Sequence, residues 1–284
     1  MNTWYLSPMR VVSLTYYPLK SAAGVTVDRA AVTRRGLAHD RRWMLTRPDG
    51  EFITARRFPQ ILGVQATVTA QGLRCSDPDG ELNVTYPNTQ VHPVTVWASH
   101  TTARDAGDEA ADWFSRRIEV ECRLVYQSED DLRPVPPRPE TRADDIVSFA
   151  DGFPLLVIGT ASLLELNRRI ARPANPIGME RFRPNVVVET TTPFEEDAWT
   201  AFSIGECTFV NAKPCARCVL TTVDPVSLRQ DPDGEPLKTL SRFRRDPDEK
   251  RILFGVNVVP RRLGELAFGD AVRIPPEGGR PPHT

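Results

Sequence analysis

Lysine is scarce in this 284-residue chain: of 36 Lys and Arg residues only Lys20, Lys213, Lys238 and Lys250 are lysines, and 37 Asp and Glu oppose them. The formal net charge of -1 leaves no global cationic excess. A nucleic-acid partner is therefore not expected, because gripping a phosphate backbone takes a basic face or stripe. No stretch approaches the roughly 18 apolar residues of a spanning helix, so no membrane segment is expected either. Cysteine is sparse and odd in number (Cys75, Cys122, Cys207, Cys215, Cys218). Residues Met1 to Leu6 place no basic region ahead of an apolar one. Together these argue against a disulfide framework and a secretory signal, and make a cytoplasmic location the default. The four histidines, His39, His92, His100 and His283, never pair at metal-ligand spacing. A phosphate-binding Gly-rich loop and a Gly-x-Ser-x-Gly nucleophile elbow are both missing.

Proline, by contrast, is plentiful. Its 26 residues are about twice the usual share and break long helices. The dominant hydrophobic period is two. Val64, Ala66, Val68 and Ala70 alternate with polar residues as in a half-buried strand. Residues 43–46 and 51–54 flank Arg47-Pro48-Asp49-Gly50 as a hairpin. Further strands are expected near 10–16, 94–98, 120–126, 185–190, 206–211, 217–223 and 270–274. Helices are few: one over about 105–118 with Ala110, Trp113, Phe114 and Ile118 on one face, one capped by Thr160 with Leu163, Leu166 and Ile170 inward, and a short one over 237–243 opened by Pro236. The fold class is mainly β with few helices. Pro134, Pro136, Pro137 and Pro139 mark a linker near the middle.

The sharpest local feature is Lys213-Pro214-Cys215-Ala216-Arg217-Cys218. A structural zinc site needs two further ligands, and no second cysteine pair exists. A redox dithiol wants its first cysteine at a helix N-terminus, whereas the β-branched residues after Cys218 read as a strand. Two buried structural cysteines remain possible on these residues, as does a thiolate ligand to a soft metal centre, favoured by the cations Lys213 and Arg217. A phosphate-bearing cofactor would need more cations. Candidates lie in three places: Lys20-Ser21 after the first strand, Arg41-Arg42 entering the hairpin, and Arg181-Phe182-Arg183-Pro184-Asn185 before Val186. Nothing in the spacing brings the three together.

In order, Tyr-Pro-x-Lys-Ser (17–21), Gly-Leu-x-x-Asp-Arg-x-Trp (36–43), Phe-Ile-Thr-Ala-Arg (52–56), Phe-Arg-Pro-Asn (182–185), Lys-Pro-Cys-x-Arg-Cys-x-x-Thr-Thr-Val-x-Pro (213–225) and Leu-Phe-Gly (253–255) resemble the MOSC proteins, in particular bacterial relatives of the mitochondrial amidoxime-reducing component. The resemblance covers about residues 10–274. It implies an N-terminal MOSC β-barrel domain (1–126) followed by a MOSC β-barrel domain (146–275), while composition marks the proline-rich linker (127–145) between them and a disordered tail (276–284). It also implies a molybdenum cofactor, with Cys218 as the catalytic cysteine and molybdenum ligand. The family's pterin-binding residues fall on Lys20, Ser21, Arg41, Asp151, Arg183 and Asn185, with the cations neutralising the phosphate and Ser, Asn and Asp bonding the pterin edge. The implied activity is reduction of small N-hydroxylated compounds such as amidoximes, hydroxylamines and N-hydroxylated bases. Since no cysteine follows Cys218, the electrons are expected from a separate donor protein of flavoprotein, ferredoxin or cytochrome type. A non-catalytic carrier of the cofactor is the competing expectation.

Overall fold

The computed structural model describes residues 9–275, so the tail expected over 276–284 lies outside the described residues. Eight strands build one large sheet, in the spatial order 272–273, 201–204, 207–217, 252–262, 155–159, 186–188, 11–16 and 25–27. Neighbours run antiparallel except 155–159 beside 186–188, which are parallel. A smaller sheet pairs 264–267, 29–33 and 36–37. One core serves both, gathering Val11, Leu14, Val32, Leu37, Val157, Val186, Phe209, Val256 and Leu266.

The second body of structure is a four-stranded sheet of 43–46, 123–126, 99–105 and 91–96, a three-stranded meander of 65–68, 72–77 and 80–85, and helix α1 (Asp108–Ile118). Trp43, Leu45, Leu62, Leu73, Trp113 and Phe114 fill its core. Space is thus divided differently from the chain. Residues up to about 126 were expected to form one domain; strand 11–16 pairs with 186–188 and strand 29–33 with 264–267 from the far half, and 25–27 and 36–37 join the sheets through those two strands. The strand period shows which face is buried; it carries no record of which strand lies alongside.

The 127–145 segment is no solvated linker. Gln127 and Arg133 are fully buried and Val135 nearly so. Arg133 donates to the carbonyls of Ser148, Ala150 (2.7 Å) and Asp151 (2.9 Å), which pins the 148–151 loop from below.

The expected helices are present. In α2 (Thr160–Ile170) the cap differs: Gly159 holds the cap position, and the Thr160 hydroxyl accepts from Thr190 N–H at 3.1 Å instead. Thr190 Oγ1 accepts from Ala161 N–H in exchange, so the helix start is satisfied from outside the helix. Helix α3 covers Leu237–Phe243, with Pro236 at its cap. The strand expected over 217–223 is not there. Strand Cys207–Arg217 ends at Arg217, and Val219–Thr222 form a 3-10 turn. The hydroxyls of Thr221 and Thr222 bond the carbonyls of Cys218 (3.0 Å) and Val219 (2.7 Å), so local side-chain bonds override β-propensity.

Candidate functional site

Five strand ends converge on one cavity of about 140 Å³. Strand 11–16 runs out into Lys20 and Ser21, and the loop before strand 43–46 supplies Arg41. Asp151 precedes strand 155–159, Arg183 and Asn185 precede strand 186–188, and strand 207–217 delivers Cys215, Arg217 and Cys218. Cys218 and the six residues the resemblance assigns to the pterin, Lys20, Ser21, Arg41, Asp151, Arg183 and Asn185, all line this cavity. Ser21 (φ 73°), Arg41 (φ 48°) and Arg183 (φ 55°) all hold left-handed backbone without being glycine, a costly conformation that concentrates where function constrains the chain.

The lining is strongly cationic. Lys20, Arg41, Arg56, Arg181, Arg183 and Arg217 face a single carboxylate among the lining residues, Asp151. Lys20 is 5% exposed and donates to Phe149 O (2.8 Å) and Asp151 Oδ1 (2.6 Å). Burial lowers its pKa, and Asp151 opposes that shift. The Asp151 side chain is 62% exposed; the desolvation it does feel at the cavity would raise its carboxyl, but Lys20, Arg56 and the Trp97 N–H hold it well below the usual range. Arg41 and Arg183 each lie 4.2 Å from the centre of the Tyr17 ring. Burial brings Arg183 down to about 10, so it is still a cation at neutral pH. One terminal nitrogen of Arg183 and one of Arg217 are buried without a protein partner. Such orphans are costly unless something else accepts from them.

Ser21 and Asn185 differ in what they have left to offer. Ser21 Oγ accepts from Ala55 N–H (3.1 Å), leaving its own proton to donate. Asn185 is 2% exposed and fully committed. Its Oδ1 accepts from Leu156 N–H (3.1 Å) and Arg41 (3.2 Å), while its Nδ2 donates to Thr15 O (3.1 Å) and Asp40 Oδ1 (3.0 Å). Those four bonds exhaust a primary amide. The expected bond from Asn185 to a pterin edge therefore has no free donor or acceptor, and the side chain acts as a strut.

Opposite the cysteines, strand 252–262 carries a bulge. Pro214 faces Val256 and Ala216 faces Leu253, so three residues step past two. Gly255 absorbs the difference at φ 72°, where a Cβ would sit 2.8 Å from Val157 O, which accounts for the glycine of Leu-Phe-Gly. Arg217 donates to Phe254 O (2.8 Å) and Phe182 O (3.0 Å), tying the cysteine strand to the arginine loop. Burial pushes the Cys215 thiol up, against the pull of Arg217 and a hydrogen bond with Asn257.

The three cation groups of the sequence do meet, with two exceptions in detail. Arg42 turns away to Glu129 (2.6 Å), and Lys213 pairs with Glu249 (3.8 Å) outside the lining. Sequence reasoning missed Asp40, Arg133 and Asn257. Asp40, fully buried, accepts from Tyr17 N–H (2.9 Å) and from Arg41 (2.8 Å); its place beside Arg41 in the 36–43 motif was the available signal. Arg133 lay hidden among prolines, and Asn257 had no signal. Among the described residues, no cluster of three or more His, Cys, Asp or Glu could hold a metal ion.

Residues 8–121 match the MOSC N-terminal beta barrel domain and residues 144–273 the MOSC domain. The chain is 33% identical to mitochondrial amidoxime reducing component 2 of Homo sapiens over 280 residues, 92% of this chain and 82% of the relative. The Bos taurus counterpart gives the same identity and coverage. Against mitochondrial amidoxime-reducing component 1 of Homo sapiens it is 32% identical over 286 residues, covering 93% and 82%.

Proposed function

Because the chain belongs to the MOSC-domain family that includes the mitochondrial amidoxime-reducing components, we propose that it reduces N-hydroxylated compounds with a molybdenum cofactor and electrons from a separate donor protein. The observation that carries this reading is one cavity in which six cations, a single carboxylate and two thiols converge. A phosphate-bearing, sulfur-ligated group fits that donor set, and the unpartnered nitrogens of Arg183 and Arg217 offer it two buried donors.

Lys20, Arg41 and Arg183 would hold the anionic end, with Ser21 donating its free hydroxyl proton. Asp151 keeps Lys20 charged and in place. Cys218 would supply the thiolate, and Asn185 and Asp40 fix Arg41 from behind. When bound, the cofactor would supply two-electron redox chemistry and an acceptor for the N-bound oxygen. Overall, R–NHOH with two electrons and two protons becomes R–NH2 and water. The chain's own share is to bind, orient and neutralise charge. Among the described residues no helix is long and apolar enough to cross a membrane.

The test is production in a host that supplies the cofactor, followed by metal and pterin analysis and reduction of benzamidoxime by reduced viologen. Molybdenum and turnover are expected. Cys218→Ala should lose turnover by about 100-fold or more while keeping the unfolding midpoint. A fully active Cys218→Ala protein would overturn the role given to Cys218. Molybdenum without turnover on any N-hydroxylated compound would favour a cofactor carrier.

A further inference from the structure

Beside the cavity runs an open groove of about 610 Å³, lined by Arg47, Glu51, Phe52, Ile53, Thr54, Arg57, Phe58, Trp97 and Ala98. Thr54 lines both spaces, so the groove adjoins the site. Its volume suits a small organic molecule.

Three observations point to what it holds. The first is aromatic: Trp97 packs on Phe52 with ring centres 4.7 Å apart, and Phe58 adds a third ring. The second is the state of Trp97. It is 42% exposed and sits at φ 55°, an outlier for so bulky a residue. Its indole N–H donates to Asp151 Oδ1 (3.2 Å), and the Arg56 guanidinium lies 4.2 Å from its ring. The ring is therefore fastened to two residues of the cavity while staying open to solvent. An exposed indole anchored to two cavity residues is what a ligand platform needs, while its positive φ belongs to the two-residue Trp97-Ala98 turn that joins strands 91–96 and 99–105. The third is charge. Arg47 is opposed by Glu51 at 3.9 Å, whereas Arg57 is exposed and has neither an ion pair nor a side-chain hydrogen bond among the described residues.

We propose that this groove binds the non-reacting end of the substrate, and that the substrates it favours are planar aromatic N-hydroxylated compounds carrying an anionic group. The ring stacks on Trp97 and Phe52, the anion meets Arg57, and the N–OH end reaches past Thr54 into the cavity. The inference rests on the reductive reading above and gives it a substrate class.

The test compares benzamidoxime, 4-carboxybenzamidoxime and N-methylhydroxylamine on the loaded enzyme. The carboxylated compound should show a KM about tenfold below that of benzamidoxime, a charge-assisted contact discounted for exposure. Arg57→Ala should raise the KM of the carboxylated compound to that of benzamidoxime and so erase that advantage. A binding readout independent of turnover is tryptophan fluorescence of the cofactor-free chain titrated with 4-carboxybenzamidine. Quenching is expected, weakened about tenfold in Arg57→Ala and absent in Trp97→Phe. Equal KM values for both aromatic compounds, unmoved by Arg57→Ala, would sink the groove and leave the reductive reading standing. Quenching that depends on Arg57 and Trp97, in a loaded enzyme that reduces none of the three, would uphold the groove and remove the reductive reading.

Discussion

Replacing Asn185 by alanine separates a strut from a cofactor ligand. In the wild-type chain the amide closes a network that runs from Thr15 through Asp40 and Arg41 to Leu156. Truncation leaves Leu156 N–H, in a buried strand, without its side-chain acceptor, at a cost of about 1–3 kcal/mol. It also removes a donor from the fully buried Asp40 carboxylate, where a bond to a charged group contributes about 1.5–3 kcal/mol. Asp40 retains Tyr17 N–H and Arg41, and Thr15 O is only one of the acceptors lost, so the two main terms are not doubled. The expected destabilisation is about 3–5 kcal/mol, a large share of the 5–15 kcal/mol typical of a folded chain. Urea unfolding of the cofactor-free protein reads it directly. At a slope of about 3 kcal/mol/M the midpoint should fall by about 1 M or more. Asn185→Asp should do no better, because it places a second carboxylate beside Asp40 and donates nothing. An unchanged midpoint in Asn185→Ala, with cofactor binding alone weakened, would refute the strut and return the amide to the cofactor.

Arg133→Met should cost about 3–5 kcal/mol, since three carbonyls lose their donor around a fully buried side chain; a midpoint within about 0.5 kcal/mol of wild type would show that the 148–151 loop does not depend on it. Asp151 gives a pH signature. Its folded pKa lies below the ordinary value of 3.8, so its contribution to stability is present above about pH 4 and lost as pH falls further. Its side chain is 62% exposed, which limits the effect to about 1 kcal/mol. The wild type should therefore be the more stable of the pair at neutral pH, and its margin over Asp151→Asn should shrink below pH 4, as followed by thermal unfolding; a margin that grows on acidification would reverse the sign argued for Asp151.

The fold class was legible because strands declare themselves through a period of two and turns through Asp-Gly and Pro. Neither signal says who pairs with whom. The bond from Arg41 to Asn185 spans 144 positions and that from Lys20 to Asp151 spans 131. Convergence of the site is therefore a property of the sheet order, which local patterns do not encode. The family motifs supplied the membership of the cavity and not its wiring. They named Asn185 without revealing that its amide is spent on protein, and they passed over Asn257, which sits within an apolar strand. Arg133 was obscured for a different reason. Prolines 134, 136, 137 and 139 give its surroundings the composition of a linker, while its burial is fixed by carbonyls about 15 positions later.

The scarcity of lysine acquires a physical meaning at the cavity. Arg41 and Arg217 spend donors on the carbonyls of Arg183, Phe182 and Phe254, so the planar fork ties separate loops together while its charge faces inward. Lys20 has a different task. It occupies a socket with one carbonyl and one carboxylate, Phe149 O and Asp151 Oδ1, and the ring of Phe52 lies 5.6 Å from its ammonium. A compact point charge fits that socket, where a guanidinium would bring donors with nothing to accept from them. Lys213 shows that the residue type alone does not decide this: it stands two positions from Cys215 and pairs outward with Glu249. Placement in the sheet, more than nearness in sequence, determines which cation serves the site.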